Sequence, residues 1–288
     1  MSKVVLGTAQ LGLNYGIANL NGKIAYVEAL KILSLAHREG IEELDTARVY
    51  GDSEKVIGGS KLEFKVITKL PKYDDQHLDV QSYLELNITR SKKDLKQDSL
   101  HAVLFHDSTQ LLSKDGDNLY SSLSKKKEDG EIKSIGVSVY EPLELMQLLN
   151  HFTFDLIQIP NNIFDSRWDE ILLLLHQQNI EVHARSIFLQ GAVFLEEEKK
   201  IKQFYKWKKL WLRFEEWVQD NNTSYLEACL MPMINDKYLS KIVLGVDSAE
   251  HLKGILKTIK KNSHINKIPE EIKTSDPELL NPMNWEST

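Results

Sequence analysis

The chain has a single cysteine, Cys229, among 288 residues, which excludes an intrachain disulfide and fits a reducing compartment. Its neighbours are apolar, so Cys229 is expected to fill core rather than act as a nucleophile. Proline and glycine are scarce, at 7 and 14 residues, and nowhere cluster into a linker, a low-complexity segment or a domain boundary. No apolar run approaches the roughly 20 residues that a spanning helix needs, and MSKVVLGTAQ runs straight into a strand pattern with no signal segment. A cytoplasmic location without a membrane partner is expected. Neither sign of charge dominates, and a net charge of −6 argues against a nucleic-acid footprint. The mixed-sign runs SKKDLK (91–96) and SKKKEDGEIK (124–133) read as solvated helix faces. HxH, HExxH and G-x-S-x-G are absent as well, which leaves no spacing for a metal site and no serine nucleophile.

What is present is a composition of 42% hydrophobic and 27% charged residues, enough apolar material for a sizeable globular core. Short β-type runs alternate with longer stretches of helical period. The candidate strands lie at 4–8, 41–45, 65–69, 101–106, 134–138, 155–159, 181–186 and 242–246. The intervening stretches read as amphipathic helices. In YVEALKILSLAHREG, Val27, Leu30, Leu33 and Leu35 recur at helical spacing and Gly40 supplies a stop. Leu84, Ile88 and Leu95 share one side of the next. RWDEILLLLHQQN is a third, and SAEHLKGILKTIKK has Ser248 as its cap and Glu250 in its first turn. After the seventh strand, Phe204, Trp207, Trp211, Phe214 and Val218 form an aromatic stripe that reads as core packing. Eight such units with no boundary predict an α/β fold: a (β/α)8 TIM barrel, one domain over residues 1–288, with a C-terminal tail at about 265–288.

In such a barrel the functional face lies at the C-terminal ends of the strands. Strand two ends in Asp45 and feeds a loop carrying Tyr50, strand three ends in Lys69, and strand four ends in His106. Neighbouring parallel strands lie about 4.8 Å apart, so these four side chains can converge. Each alone has a bland explanation, as a turn cap, a rim aromatic, a solvent-seeking lysine or a satisfied histidine. Together they are complementary. Asp45 would keep a buried Lys69 charged, and an ammonium beside Tyr50 would lower the phenol and make it a readier proton donor. His106 would orient a carbonyl oxygen by hydrogen bonding. Such a set suits an oxygen that gains negative charge, as when a carbonyl is reduced to an alcohol.

The segments LGTAQLGLNYG (6–16), ELDTARVYGDSE (43–54), VITKL (66–70) and VLFHD (103–107), in that order and spacing, resemble the aldo-keto reductase family over nearly the whole chain. The resemblance implies a catalytic tetrad of Asp45, Tyr50, Lys69 and His106 and an extended nicotinamide dinucleotide across the barrel mouth. Gly7 and Thr8 belong to its first segment and are expected at the cofactor. Ser138 and Gln158 match residues that hold the nicotinamide carboxamide, although Val139 stands where the family has Asn. In RSIFLQG (185–191), Ser186 and Gly191 match a pyrophosphate-binding turn, and Arg185 replaces a tyrosine that stacks on the nicotinamide ring. Near strand eight, where NADP-selective members present Lys, Arg and Asn, this chain has Gly245, Asp247, Ser248, His251 and Ile255. Family habit implies NADPH, whereas Asp247 would repel a 2′-phosphate and makes NADH its rival. The tail at 272–288 resembles that of short family members from surface-polysaccharide gene clusters, which implies a sugar or nucleotide-sugar as the small-molecule carbonyl substrate. Trp285, Tyr15 and Phe188 are then either stacking platforms or simple packing. The alternative reading is a nucleotide-binding barrel with a regulatory or structural task and little turnover. Oligomeric state has no signature in the sequence.

Overall fold

A computed structural model describes residues 2–285 other than 18, 20, 21, 262–264 and 266. Eight parallel strands close into one barrel in sequence order: β1 (Val4–Gly7), β2 (Glu43–Asp45), β3 (Lys65–Leu70), β4 (Leu100–Phe105), β5 (Ile132–Ser138), β6 (Leu156–Pro160), β7 (Glu181–Arg185) and β8 (Lys241–Gly245). The expected strands are all there, with ends displaced by at most two residues. A four-residue helix, α1 (Ala9–Gly12), follows β1. The crossovers are α2 (Tyr26–Arg38), α3 (Ser53–Gly59), α4 (Val80–Leu95), α5 (Gly116–Glu128), α6 (Pro142–Leu149) and α7 (Asp169–Gln177). The last crossover contains α8 (Glu197–Gln203), α9 (Lys208–Asp220) and α10 (Tyr225–Asn235), and α11 (Ala249–Lys261) and α12 (Pro277–Leu280) complete the described helices.

Two apolar regions hold this arrangement. Inside the barrel, Val5, Ile67, Ala102, Leu104 and Leu156 form a thin layer with Val243 against it. Outside, the helices cover the strands with a much larger core. α4 follows its sequence pattern: Leu84, Ile88 and Leu95 are buried, Asp79 caps the first turn by accepting from Ser82 N at 2.9 Å, and Lys96 ends it in the left-handed region. α2 departs in part from its pattern. Leu33 and Leu35 are buried as expected, but Val27 is 67% exposed, and Ala29, Ile32 and Ala36 complete the buried face, because small alanines let the helix lie close to the sheet.

The aromatic stripe is core, as expected: Phe204, Trp211, Phe214 and Val218 are buried. It spans two helices rather than one, since Phe204 (φ −118, ψ 41) breaks the helical path before a 3₁₀ turn at Tyr205–Trp207. Cys229 is fully buried, and burial pushes its thiol up, as befits core filler. The charged runs are solvated in part, with Ser91, Leu95 and Ile132 buried within them. Lys92 and Lys126 both pair with Glu131, and Lys125 pairs with Asp129. No described helix is long and apolar enough to cross a membrane.

Candidate active site

The barrel register sets Gly7 beside Asp45 on one side and Gly245 on the other, and Pro160 beside Arg185. A cleft of about 360 Å³ opens over these strand ends. Beneath it lies the paired charge of the site. Lys69 Nζ donates to both oxygens of Asp45, at 2.8 and 2.7 Å, and to Thr46 O at 3.0 Å. Their side chains are 1% and 6% exposed, so neither charge is stable there without the other. Gln158 reaches across the interior from β6 to donate to Asp45 Oδ1 at 2.7 Å.

Tyr50 stands over this pair, half-buried, with Lys69 Nζ 5.3 Å from its ring centroid. His106 meets it edge-on, ring centroids 5.8 Å apart and planes at 85°. The loop that carries Tyr50 is fastened by buried polar groups. Thr8 donates to Asp45 O through both N and Oγ1, at 2.9 and 2.8 Å, and Ser53 Oγ lies 2.8 Å from Thr8 Oγ1. Ser53 N donates to Tyr50 O at 3.0 Å. Glu54, 2% exposed, accepts from Thr68 Oγ1 at 2.6 Å and Ser91 Oγ at 2.9 Å and pairs with Arg48, which also reaches Asp94 at 3.0 Å. Glu54 lies in ELDTARVYGDSE, but a glutamate in a first helical turn reads as solvated, and its tertiary partners are invisible in the chain.

The proton affinities differ from the expectation at Tyr50. Burial raises the phenol well above its ordinary value, and the Asp45 carboxylate raises it further against Arg185. The reason is that Lys69 is not a lone ammonium; Asp45 cancels its charge, and desolvation remains. Burial likewise pulls Lys69 down, against the Asp45 carboxylate. His106 is lowered to about 4 by burial and by the cations Lys69 and Arg185, so it is a neutral imidazole at neutral pH.

The remaining expected residues divide. Gly7, Thr8, Asp45, Tyr50, Arg185, Ser186, Gly191, Gly245, Asp247 and His251 line the cleft, and so do Tyr15 and Phe188. Lys69, His106, Ser138, Gln158 and Ser248 are not on its wall. Ser138 is buried in register with Gln158. Ser248 does cap α11, accepting from His251 N at 3.1 Å. Arg185 is held in place by two neighbours. Its guanidinium carbon lies 4.2 Å from the Tyr140 ring centroid, and Nη2 donates to Val139 O at 3.1 Å. Ser186 and Gly191 adopt left-handed backbone, φ +60 and +94, within the expected turn. Trp285 is packing: it meets Phe204 edge-on at 5.0 Å and donates to Leu279 O at 3.0 Å. Gln10, Gln190 and Phe194 also line the cleft and had no motif to mark them.

A dinucleotide fits these residues. Below the cleft wall, Gln158 Oε1 is buried without a partner among the described residues, an acceptor that a carboxamide N–H₂ reaching that depth would satisfy. A Cβ on Gly245 would stand 2.7 Å from Gln10 Nε2, so its bareness keeps that wall open. At the N-terminus of α11, Ala249 N donates to Glu28 Oε1 at 2.9 Å, and Asp247 Oδ1 lies 3.1 Å from His251 Nδ1. At the opposite end of the barrel, Glu43, Glu181 and His183 bring one ligand-type atom each within 4.8 Å of one another. Lys241 Nζ lies 2.6 Å from Glu43 Oε1 and already supplies a cation there.

A closed parallel barrel with a cleft over its strand ends and a lysine–carboxylate pair under a phenol defines an oxidoreductase-type site. The family model for the aldo/keto reductase family matches residues 3–271, and the chain belongs to that family. It is thereby an oxidoreductase of a family that reduces carbonyl compounds with NAD(P)H. An uncharacterized oxidoreductase of Bacillus subtilis, YqkF, is 26% identical over 206 residues, 67% of each chain. The holo form of aldo-keto reductase AKR11C1 from Bacillus halodurans superposes with a TM-score of 0.74 at 18% identity, covering 94% of this chain and 89% of that one.

Proposed function

We propose that the protein reduces an aldehyde or ketone to an alcohol, with Tyr50 as the proton donor. The observation that carries this reading is the placement of Tyr50 above the buried Lys69–Asp45 pair and against His106. When bound, the reduced dinucleotide supplies a hydride to the carbonyl carbon. Ser138 and Gln158 would hold its carboxamide. Gly7, Thr8, Ser186 and Gly191 would line its course, and Gly245, Asp247, Ser248 and His251 would receive its far end.

The chain's own residues supply the proton and its stabilisation. A phenol raised by burial stays protonated at neutral pH, as a donor must before transfer. As charge develops on the carbonyl oxygen, the Tyr50 hydroxyl releases its proton to it, and the Arg185 guanidinium, which already lowers the proton affinity of the phenol, offsets the phenolate that results beside the paired Lys69. Asp45 keeps Lys69 charged and fixed. Neutral His106 orients the carbonyl oxygen, and Tyr50 regains its proton from solvent.

The geometry supports NADH over the NADPH that family habit implies. Glu28 takes the first free N–H of α11, and Asp247 lines the same end of the cleft; two carboxylates there oppose an added 2′-phosphate. The sugar or nucleotide-sugar substrate suggested by the tail is a narrower form of this reading. Dinucleotide affinities by fluorescence, followed by turnover of a carbonyl panel, test all of it. Tyr50→Phe is expected to lower kcat on the order of 10²–10⁴-fold with dinucleotide affinity unchanged. Tight dinucleotide binding with no Tyr50-dependent turnover would leave a nucleotide-binding barrel instead.

A further inference from the structure

The charged side chains that line the cleft are accounted for with one exception. Asp45 is paired with Lys69, and Asp247 lies against Ser248 and His251. Arg185 has no carboxylate partner among the described residues. Of the five N–H donors of a guanidinium, one reaches Val139 O at 3.1 Å, and the plane is held 4.2 Å from the Tyr140 ring centroid. Arg185 is half-buried at the end of β7, where an unpaired cation loses hydration without a compensating charge. A guanidinium that is stacked on one face and pinned at one nitrogen is a rigid fork with donors to spare. It shares the cleft with Tyr50, and its charge lowers the proton affinity of Tyr50, Lys69 and His106 alike. Arg185 is thus beside the reacting groups.

We propose that Arg185 determines substrate specificity by binding an anionic group, carboxylate or phosphoryl, on the carbonyl compound. The proposal rests on the reductase reading of the same site. An oxidised nicotinamide is itself cationic, so a bare Arg185 gains nothing from it; an anionic substrate balances both charges. Charge-assisted, two-pronged recognition of a carboxylate or phosphoryl group is what this side chain offers. Tyr140 and Val139 act as positioning residues by fixing the fork.

The test uses three aldehydes on one ring skeleton: 4-carboxybenzaldehyde, 4-formylphenyl phosphate and the neutral methyl 4-formylbenzoate. Each is assayed with the wild-type protein, Arg185→Leu and Arg185→Lys at saturating reduced dinucleotide. The expected result is a wild-type preference of roughly tenfold or more in kcat/KM for at least one anionic aldehyde over the ester. In Arg185→Leu the KM for that aldehyde should rise on the order of 10–100-fold relative to the KM for the ester, and any change in kcat from removing a charge near Tyr50 should be shared by all three aldehydes. Arg185→Lys should keep part of the preference, because charge survives without the planar fork. Which anion wins distinguishes a carboxylate from a phosphoryl substrate. Equal handling of all three aldehydes by the wild type overturns the proposal and leaves the reductase standing. A loss in Arg185→Leu that is equal for ester and anions, or confined to dinucleotide affinity, overturns it too. If the wild type turns over none of them, the wider carbonyl panel decides the reductase reading, and the anion site is read by binding instead. Fluorescence titration of the three compounds into the protein with oxidised dinucleotide still reads the anion site: charge-selective binding lost in Arg185→Leu upholds it, and unselective binding ends it.

Discussion

His106 and Tyr50 meet edge to face at the mouth, and the histidine's low proton affinity has a consequence for stability. A histidine lowered from 6.5 to about 4 binds fewer protons folded than unfolded throughout that interval. Stability therefore rises with pH across the window, and is lost as pH falls from about 6.5 towards 4. Comparing melting temperatures of the wild type and His106→Asn across these pH values isolates the contribution from that of carboxylates titrating nearby. The wild type is expected to lose about 1–3 kcal/mol more than the variant over the window. Much of this scale was legible in the chain, since Asp45, Tyr50, Lys69 and His106 each sit at a strand end or in the loop after it. The direction of the Tyr50 shift was not legible, because it depends on how completely Asp45 neutralises Lys69 and how much water reaches the phenol. The role of Arg185 was obscured for a similar reason. Its partner Tyr140 comes from the loop after β5, 45 positions away in sequence.

At the scale of elements, Tyr50 is placed by a backbone contact between α1 and the turn before α3. A Cβ on Gly12 would stand 1.7 Å from Tyr50 O, and Gly51, at φ +53, faces Gly12 O across the same contact. Only bare backbone permits that approach. Gly12→Ala must push the Tyr50 turn outward, since the atoms nearest the added methyl are Tyr50 O, Ser53 N and Tyr50 C. We expect kcat/KM to fall by about 10–100-fold, with a much smaller relative change in the urea midpoint; a wild-type rate in a folded variant would refute the positioning. The strands were readable because short, nearly continuous apolar runs stand out between longer helical stretches. The buried face of α2 was less so, since alanines carry little hydrophobic signal, and the break at Phe204 follows from packing of the stripe rather than from a proline or glycine.

At the scale of the whole molecule, the tail closes the outer core. Ile272, Leu279 and Leu280 are fully buried, Thr274 N donates to Phe164 O at 2.7 Å, and Asp276 caps α12 by accepting from Glu278 N at 3.0 Å. These contacts make the tail part of the barrel's stability. Leu280→Ala is expected to cost about 2–5 kcal/mol in chemical denaturation, with Tyr50-dependent activity retained under native conditions. A cost below about 0.5 kcal/mol would mean that the tail merely lies on the surface.

The sequence by itself determined the eight-fold alternation and the barrel it implies, and it set Asp45, Tyr50, Lys69 and His106 at or just after neighbouring strand ends, because each of these is written in local period and in motif spacing along one chain. Tertiary structure alone decided which charges cancel, that Glu54 anchors the tyrosine loop, that Glu28 occupies the α11 N-terminus, and that Arg185 has no counter-ion among the described residues. Charge balance in a barrel mouth is a property of distances between strands far apart in sequence, and closure of the sheet is what sets those distances.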